Sequence, residues 1–386
     1  MCAVEWKSLE ELGNFYGGLS GKSKEDFQDG NAKFVTYMNV YSNMSLDFTI
    51  VDMVKVGEDE KQNSIKYGDI LFTGSSETPD DCGMSCVVTR HIDEPIYLNS
   101  FCFGFRFDDV EKFEPDFLKH YFRCIAMRKA ISLTASGVTR FNVSKKRFVK
   151  IQIPLLHVSK QQEIVSHLDT FTTLISNLES ELDMRRKQYE HYRNQLLDFE
   201  GVEGVEWKEL GKVVKRNKGI SITAGQMSEL NTHNGNVRVF AAGQTIADIN
   251  EDNLPANCAY NLPSIIVKSR GYIDFEFYDK PFTHKNEMWS YSFNNKDSGK
   301  LIYYYLTTKT DYFRKKAKAN SVKLPQLCVA DTDNYLIPIP SLAKQQEIVE
   351  KLDAFENLIQ SLDQEIKLRQ KQYEYYREKL LTFEKE

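Results

Sequence analysis

Two stretches of the chain place apolar or long side chains at alternating steps of four and three residues without a break. The first runs through Ile164, Leu168, Phe171, Ile175, Leu178, Leu182, Arg185, Tyr189, Tyr192, Leu196 and Phe199. The second runs through Ile348, Leu352, Phe355, Ile359, Leu362, Ile366, Arg369, Tyr373, Tyr376, Leu380 and Phe383. Five heptads with an apolar seam predict a coiled-coil helix in each place, roughly 50 Å long at 1.5 Å per residue. Pro154 and Pro340 suit an extended approach to each helix, and "SKQQE" and "AKQQE" suit a first turn. Arg185 and Arg369 interrupt the two seams at the same step, where a polar residue fixes register or reaches past its partner to solvent.

Between these stretches the pattern changes to short β-rich runs separated by turn residues. Residues 32–41, 67–76 and 84–91 predict strands in the first half, and residues 237–243, 263–278 and 288–294 do so in the second. Each half then passes through a predicted helix, at 115–134 or 299–319. Strands and helices mixed without regular βαβ alternation indicate a compact α+β domain in each half.

The two seams are copies of one segment. At an offset of 184, residues 161–199 match residues 345–383 with 22 identities in 39 positions and no gap. The match reaches back to Ile153-Pro154 and Ile337-Pro338. A second match, at an offset of 201, sets "VEWK" at 4–7 on "VEWK" at 205–208. The chain is therefore two copies of a unit with constant ends and divergent middles. This predicts two globular domains, residues 1–158 and 201–342, joined by two long antiparallel helices, residues 159–200 and 343–386, in a pseudo-two-fold body. Helices repeated so closely would pair with each other and could also dock identical partners.

The 386 residues, 41% apolar and 27% charged, suit a soluble multidomain protein. No apolar run is long enough for a bilayer, and "MCAVEWKSLEELG" does not resemble a signal peptide. Seven cysteines, an odd number, suit reduced thiols in a cytoplasm. The net charge of −5 argues against a nucleic-acid partner only on average, because local patches decide binding. From Arg123 to Lys150 there are eight Lys or Arg and no acidic residue; residues 309–323 carry six against Asp311 alone. A solvated helix face would carry such charges too, but their recurrence at equivalent places suggests two surfaces meeting phosphates. Lys145, Lys146, Lys315, Lys316 and Lys323 are the phosphate candidates. Polar loops beside the strands supply the base-reading candidates: Lys22, Ser23, Lys24, Ser75, Thr139 and Arg140 first, then Lys268, Arg270, His284, Lys285 and Asn286. Arg and Lys suit guanine edges, Asn suits adenine, and small hydroxyls suit either. Ordinary turns use the same residue types.

Catalytic signatures are missing. "GGLSGKS" has three residues between Gly17 and Gly21 where a phosphate-binding loop needs four. Cys82 and Cys86 have no second ligand pair for structural zinc, so no metal site is expected. No dinucleotide loop, amino-methyltransferase tetrapeptide or nucleophile elbow occurs. Three readings remain: a DNA-reading subunit without chemistry of its own, a coiled-coil scaffold without DNA contact, and a self-sufficient methyltransferase or nuclease.

The layout resembles the specificity subunit of Type I restriction-modification systems. The resemblance rests on "IPIPSLAKQQEIVEKLD" (337–353), its partner "IQIPLLHVSKQQEIVSHLD" (151–169), the "KQYEYYREKLLTF" ending and the two Val-Glu-Trp-Lys leads. It covers essentially the whole chain. It implies a bacterial or archaeal cytoplasmic protein whose two target-recognition domains each read half of a gapped double-stranded DNA site. It also implies two methyltransferase subunits docked on the repeated segments and restriction subunits joining them. S-adenosylmethionine, ATP and magnesium would then belong to those partners, and this chain would hold no cofactor and perform no catalysis.

Overall fold

The computed structural model describes residues 4–321 and 323–384. Both seams form single helices, Val158–Leu196 and Leu342–Leu381, of 39 and 40 residues, which end before the last seam positions, Phe199 and Phe383. At 1.5 Å per residue each is about 60 Å long. Among the described residues no helix is long and apolar enough to cross a membrane.

The chain divides into two compact units, and the division cuts both helices. One unit holds the chain up to Glu179 and from Gln364 onward; the other holds Ser180–Asp363. This differs from a partition into domains and separate helices. The reason is that each domain buries seam residues of its helix halves in its own core. In the first unit Ile164, Leu168 and Tyr373 share a cluster with Phe72, Phe105, Phe117 and Phe148. In the second, Ile348, Val349 and Leu352 share one with Ile265, Tyr291, Tyr304 and Phe313.

Within each unit the helix halves meet through the same aromatic pair. Phe171 stacks on Tyr376 in the first unit, centroids 5.3 Å apart and planes 16° from parallel. Phe355 stacks on Tyr192 in the second, at 5.5 Å and 25°. At the repeat offset these are the same two positions with the helices exchanged. In the first unit Gln370 lies against Glu179 while Tyr376 lies against Phe171, so the halves run antiparallel. Arg185 and Arg369 each bond back to a glutamate four residues earlier (Glu181, Glu365) and forward to a glutamine three later (Gln188, Gln372).

The two separate sequence matches prove to be one ladder. Glu5, Trp6 and Lys7 pair antiparallel with Leu155, Pro154 and Ile153. Glu206, Trp207 and Lys208 pair with Ile339, Pro338 and Ile337 in the same register. Each Trp faces a Pro, whose missing N–H is tolerated on a two-stranded edge. Just past the ladder, Leu9 or Leu210 is fully buried and donates its N–H to the carbonyl of Ile151 or Tyr335, positions that also correspond.

The divergent middles share a topology that their sequences do not display. In the first unit a four-stranded antiparallel sheet has the order Gly13–Gly17, Cys102–Phe107, Ile70–Thr73, Ser85–Val87. In the second the order is Arg216–Lys218, Trp289–Ser292, Ser264–Lys268, Asp274–Tyr278. Numbered along the chain, both read 1-4-2-3. Each unit adds a three-stranded sheet with one antiparallel and one parallel pairing. Its strands are Val51–Val54, Ala32–Val35, Ile96–Leu98 in one unit and Ile246–Ile249, Val237–Phe240, Phe282–His284 in the other.

Several predicted elements are shorter or broken. The strand expected over 32–41 stops at Val35, because Thr36 Oγ1 accepts from Asn39 N and caps a helix at Tyr37–Ser42. The stretch 263–278 is a hairpin, with Gly271 in the left-handed region at φ 76°. The helix expected over 115–134 is two, Pro115–Tyr121 and Ile125–Ser132. That expected over 299–319 is Lys296–Thr308 and Thr310–Asn320.

Candidate nucleic-acid interface

The repeated glutamine of the "KQQE" motif ties each recognition domain to its helix. Gln161 is buried; its Oε1 accepts from Glu114 N, and its Nε2 donates to the carbonyls of Lys112 and Leu156. Gln345, also buried, donates to the Pro340 carbonyl and accepts from Ser298 Oγ. Both reach the start of the domain helix that follows the sheet, at Pro115 or Lys296. About two turns further on, Asp169 and Asp353 make the second tie. His120 places Nε2 2.8 Å from Asp169 and Nδ1 2.9 Å from the Tyr373 hydroxyl. Burial pushes the His120 imidazole below its ordinary value, so the neutral ring donates to the carboxylate and accepts from the phenol. Burial alone would raise Asp169, but hydrogen bonds from His120 and Lys119 outweigh it and lower that carboxyl. In the second unit Tyr304 takes the place of His120, donating to Asp353 and Glu356 at 2.6 and 2.9 Å, while Tyr189 donates to Glu356. Two repeated positions, Gln161 with Gln345 and Asp169 with Asp353, therefore mount the domains on the helices.

The basic segments separate by residue type. In the first domain Arg123, Arg128 and Arg147 bond to backbone carbonyls. Arg123 donates to the carbonyls of Ser85, Val40, Tyr41 and Asn43, and burial lowers its guanidinium to about 10, with Arg128 adding to the effect. Arg128 donates to Gly83, Asp80 and Cys82, and Arg147 to Leu133 and Thr134. A planar fork with five donors suits several carbonyls at once. Lys129, Lys145, Lys146 and Lys150 are exposed instead. Lys145 lies 4.9 Å over the Phe103 ring, and partial burial lowers its ammonium. In the second domain Lys315, Lys316 and Lys323 are exposed, while Arg314 donates to Ile273 and covers the Tyr272 ring. The phosphate candidates are thus all at the surface.

The base-reading candidates fare unevenly. Lys22 is nearly enclosed between the Lys55 carbonyl and Glu60, whose carboxyl is lowered to about 2, first by the Lys22 hydrogen bond. Ser23 bonds to Asp26, and Lys24 is exposed. Lys268 pairs with Glu276 at 2.7 Å and Lys285 with Glu287 at 3.2 Å. Asn286 and Arg270 are exposed. His284 is 0% exposed, with Nε2 3.1 Å from Ser290 Oγ, and burial pushes its imidazole down to about 4. It belongs to the interior of the sheets and does not reach a surface that DNA could touch.

Ser75, Thr139 and Arg140 are brought together. They line one hollow of about 540 Å³ with Tyr37, Tyr41 and Thr78. Ser75 is itself buried; its Oγ accepts from Arg140 Nε at 3.0 Å, and its backbone pairs with Asn142. Arg270 pairs with Gln326, and Gln326 lies 184 residues beyond Asn142. The loops "FTGSS" and "VKSRG" therefore occupy corresponding places against corresponding segments. The candidates do not include exposed Met38, which lines this hollow, nor exposed Phe101 beneath Arg140 and exposed Val138 next to Thr139. The one trace of them in sequence is a valine inside the otherwise polar turn "SGVTR".

Residues 3–184 and 200–368 match the family described as Type I restriction modification DNA specificity domain. This chain belongs to that family. Its relatives include the EcoR124I/EcoR124II specificity subunit of Escherichia coli, 32% identical over 58% of this chain and 60% of that protein's length. The matched stretch thus spans under two thirds of that relative. A putative type I specificity subunit of Mycoplasma pneumoniae is 29% identical over 64% of this chain and 67% of its own length. Among solved structures, the S subunit of a Type I restriction-modification system from M. genitalium aligns over 100% of this chain and 98% of its own. The TM-score is 0.62 at 15% identity. The fold, two α+β domains joined by two long helices that pack together, is shared with it.

Proposed function

We propose that this chain is the non-catalytic specificity subunit of a Type I restriction-modification complex. It reads a gapped double-stranded DNA site with its two domains and positions partner subunits for adenine methylation or for cleavage of unmodified DNA. The observation that carries this reading is the repetition, in a chain matched by the family over residues 3–184 and 200–368, of a domain with exposed lysines and a loop–segment junction at corresponding positions. Each half-site would meet one such junction, with Arg140 at the first and Arg270 at the second. The lysines at 145, 146, 315, 316 and 323 would meet phosphates without regard to sequence. The identical outward residues of the helices, among them Lys187 with Lys371 and Glu190 with Glu374, are exposed in both copies and suit two identical methyltransferase subunits. Restriction subunits would complete the complex. Donor, ATP and magnesium chemistry would lie with those partners.

The test is a base-resolution methylation map of DNA from cells expressing the chain with its neighbouring methyltransferase, against the methyltransferase alone. Methylated adenines in one gapped motif, present only with the pair, are expected. Identical maps would refute the reading and favour a scaffold.

A further inference from the structure

The turn at Gly137–Arg140 joins two short paired strands, Ala135–Ser136 and Phe141–Val143, and the second of these pairs with Ser75–Ser76. The result is a narrow finger, two strands of a separate small three-stranded sheet. A side chain at Gly137 would collide with the Arg140 carbonyl, so the turn is closed by a residue with no Cβ. At its tip Val138 is 92% exposed. Two more large apolar groups stand open nearby. Phe101, 60% exposed, lies under the Arg140 guanidinium at 5.8 Å, and Met38, 58% exposed, lines the hollow with Thr139 and Arg140. Three open apolar side chains around one arginine are costly in water unless something covers them.

The charges around the hollow say what covers them. Glu77 and Asp81 line it together with Arg140. Two carboxylates repel a phosphate, so the DNA backbone is a poor fit there. A base edge is a good one: an amino group of cytosine or adenine can donate to a carboxylate, and guanine can accept from Arg140. The exposed Lys145 and Lys146, which have no carboxylate partner among the described residues, follow directly on the finger and suit flanking phosphates. The remaining feature of a major-groove edge that an apolar tip can recognise is the thymine C5-methyl group. The second domain also exposes apolar side chains at the corresponding place, beside the Arg270–Gln326 bridge. Leu324, 184 positions beyond Arg140, is exposed beside Gly271, and exposed Tyr272 follows Arg270.

We infer that the first domain reads at least one A·T pair of its half-site through the thymine methyl, packed against Val138 with Phe101 and Met38 at the sides. The inference rests on the function proposed above. Arg140, steered by Ser75 and Phe101, keeps its outer N–H groups for an adjacent base acceptor. Val138, Phe101 and Met38 are thus specificity-determining residues that act by shape and desolvation, with no hydrogen bond of their own.

The test uses the full chain in complex with its methyltransferase and duplexes carrying the methylated gapped motif. Each thymine of the motif is replaced singly by uracil, which removes the methyl and nothing else. Wild-type complex should bind about four-fold more weakly at one such position, the worth of one buried methyl-sized group. Val138→Ser, at an open tip where folding is not at stake, should bind thymine and uracil duplexes equally, and Phe101→Ser should narrow the difference. Full sensitivity should persist at any thymine read by the second domain. Three results would overturn the inference: indifference of the wild type to every replacement, equal weakening of Val138→Ser on both duplexes, or a first half-site with no A·T pair. If no gapped motif is methylated at all, the proposed function fails and this inference falls with it; a motif without methyl sensitivity sinks only the inference.

Discussion

Acid should separate two roles for His284, one at the DNA surface and one inside the fold. The ring is enclosed between the sheets, with Ser290 Oγ at Nε2, the Lys285 carbonyl 3.3 Å from Nδ1, and Tyr260 stacked at 6.2 Å. Burial drives its pKa down to about 4, while the Lys285 carbonyl and the Glu287 charge pull weakly the other way. An unfolded histidine titrates near 6.5. Below that pH the unfolded chain takes up a proton that the folded chain refuses, so stability is complete above 6.5 and falls as pH drops towards about 4. The whole gap is worth about 3 kcal/mol, of which about 2 kcal/mol is lost between pH 7 and pH 5. Urea unfolding of the full chain at pH 7, 6 and 5 measures this. In a Trp6→Phe background the tryptophan signal comes from Trp207 and Trp289, both in the second unit. His284→Asn keeps a polar group near Ser290 and removes the titration, so its stability should fall by about 2 kcal/mol less over that range. Parallel pH profiles would refute the argument. A changed methylation motif in His284→Asn with unchanged stability would return the residue to the DNA surface.

Other outcomes follow from the same geometry. Gln161→Ala and Gln345→Ala each leave buried partners unsatisfied and should cost about 1–3 kcal/mol in denaturant unfolding, whereas exposed Gln346→Ala should cost under about 0.5 kcal/mol. Arg123→Ala should destabilise the first unit by about 2 kcal/mol or more, because four carbonyls lose their donor; a stable variant with weakened DNA binding would instead mark Arg123 as a phosphate contact. Lys146→Gln should leave stability unchanged, weaken all DNA sequences alike and reduce the slope of log affinity against log salt by about 1. Arg270→Ala should relax one base position in one half-site at a cost of about 1–3 kcal/mol, and an equal loss on matched and mismatched DNA would remove it from the readers.

The sequence by itself determined the parts that depend on periodicity and self-similarity. A seam kept in phase over five heptads can only be satisfied by a long helix, so Val158–Leu196 and Leu342–Leu381 were legible from their apolar positions. The repeat made two like domains unavoidable, and the missing motifs left the chain without an obvious chemistry. Tertiary structure alone decided the rest. The common 1-4-2-3 sheet order is invisible in the divergent middles, because topology is set by which strands pair across long loops and many sequences satisfy the same pairing. The pairing of "VEWK" with the Ile-Pro strand, and the use of Gln161 and Asp169 as mounts, join residues about 50 to 150 positions apart, which no local pattern records. Burial likewise sorted side chains that composition had grouped together. Arg123 and His284 read as surface chemistry because charge and ring nitrogen are visible in a sequence. Whether a carbonyl cluster or a neighbouring sheet encloses them is not. Val138 went unnoticed for the opposite reason: a valine is expected inside, and only the finger that carries it shows that it stands outside.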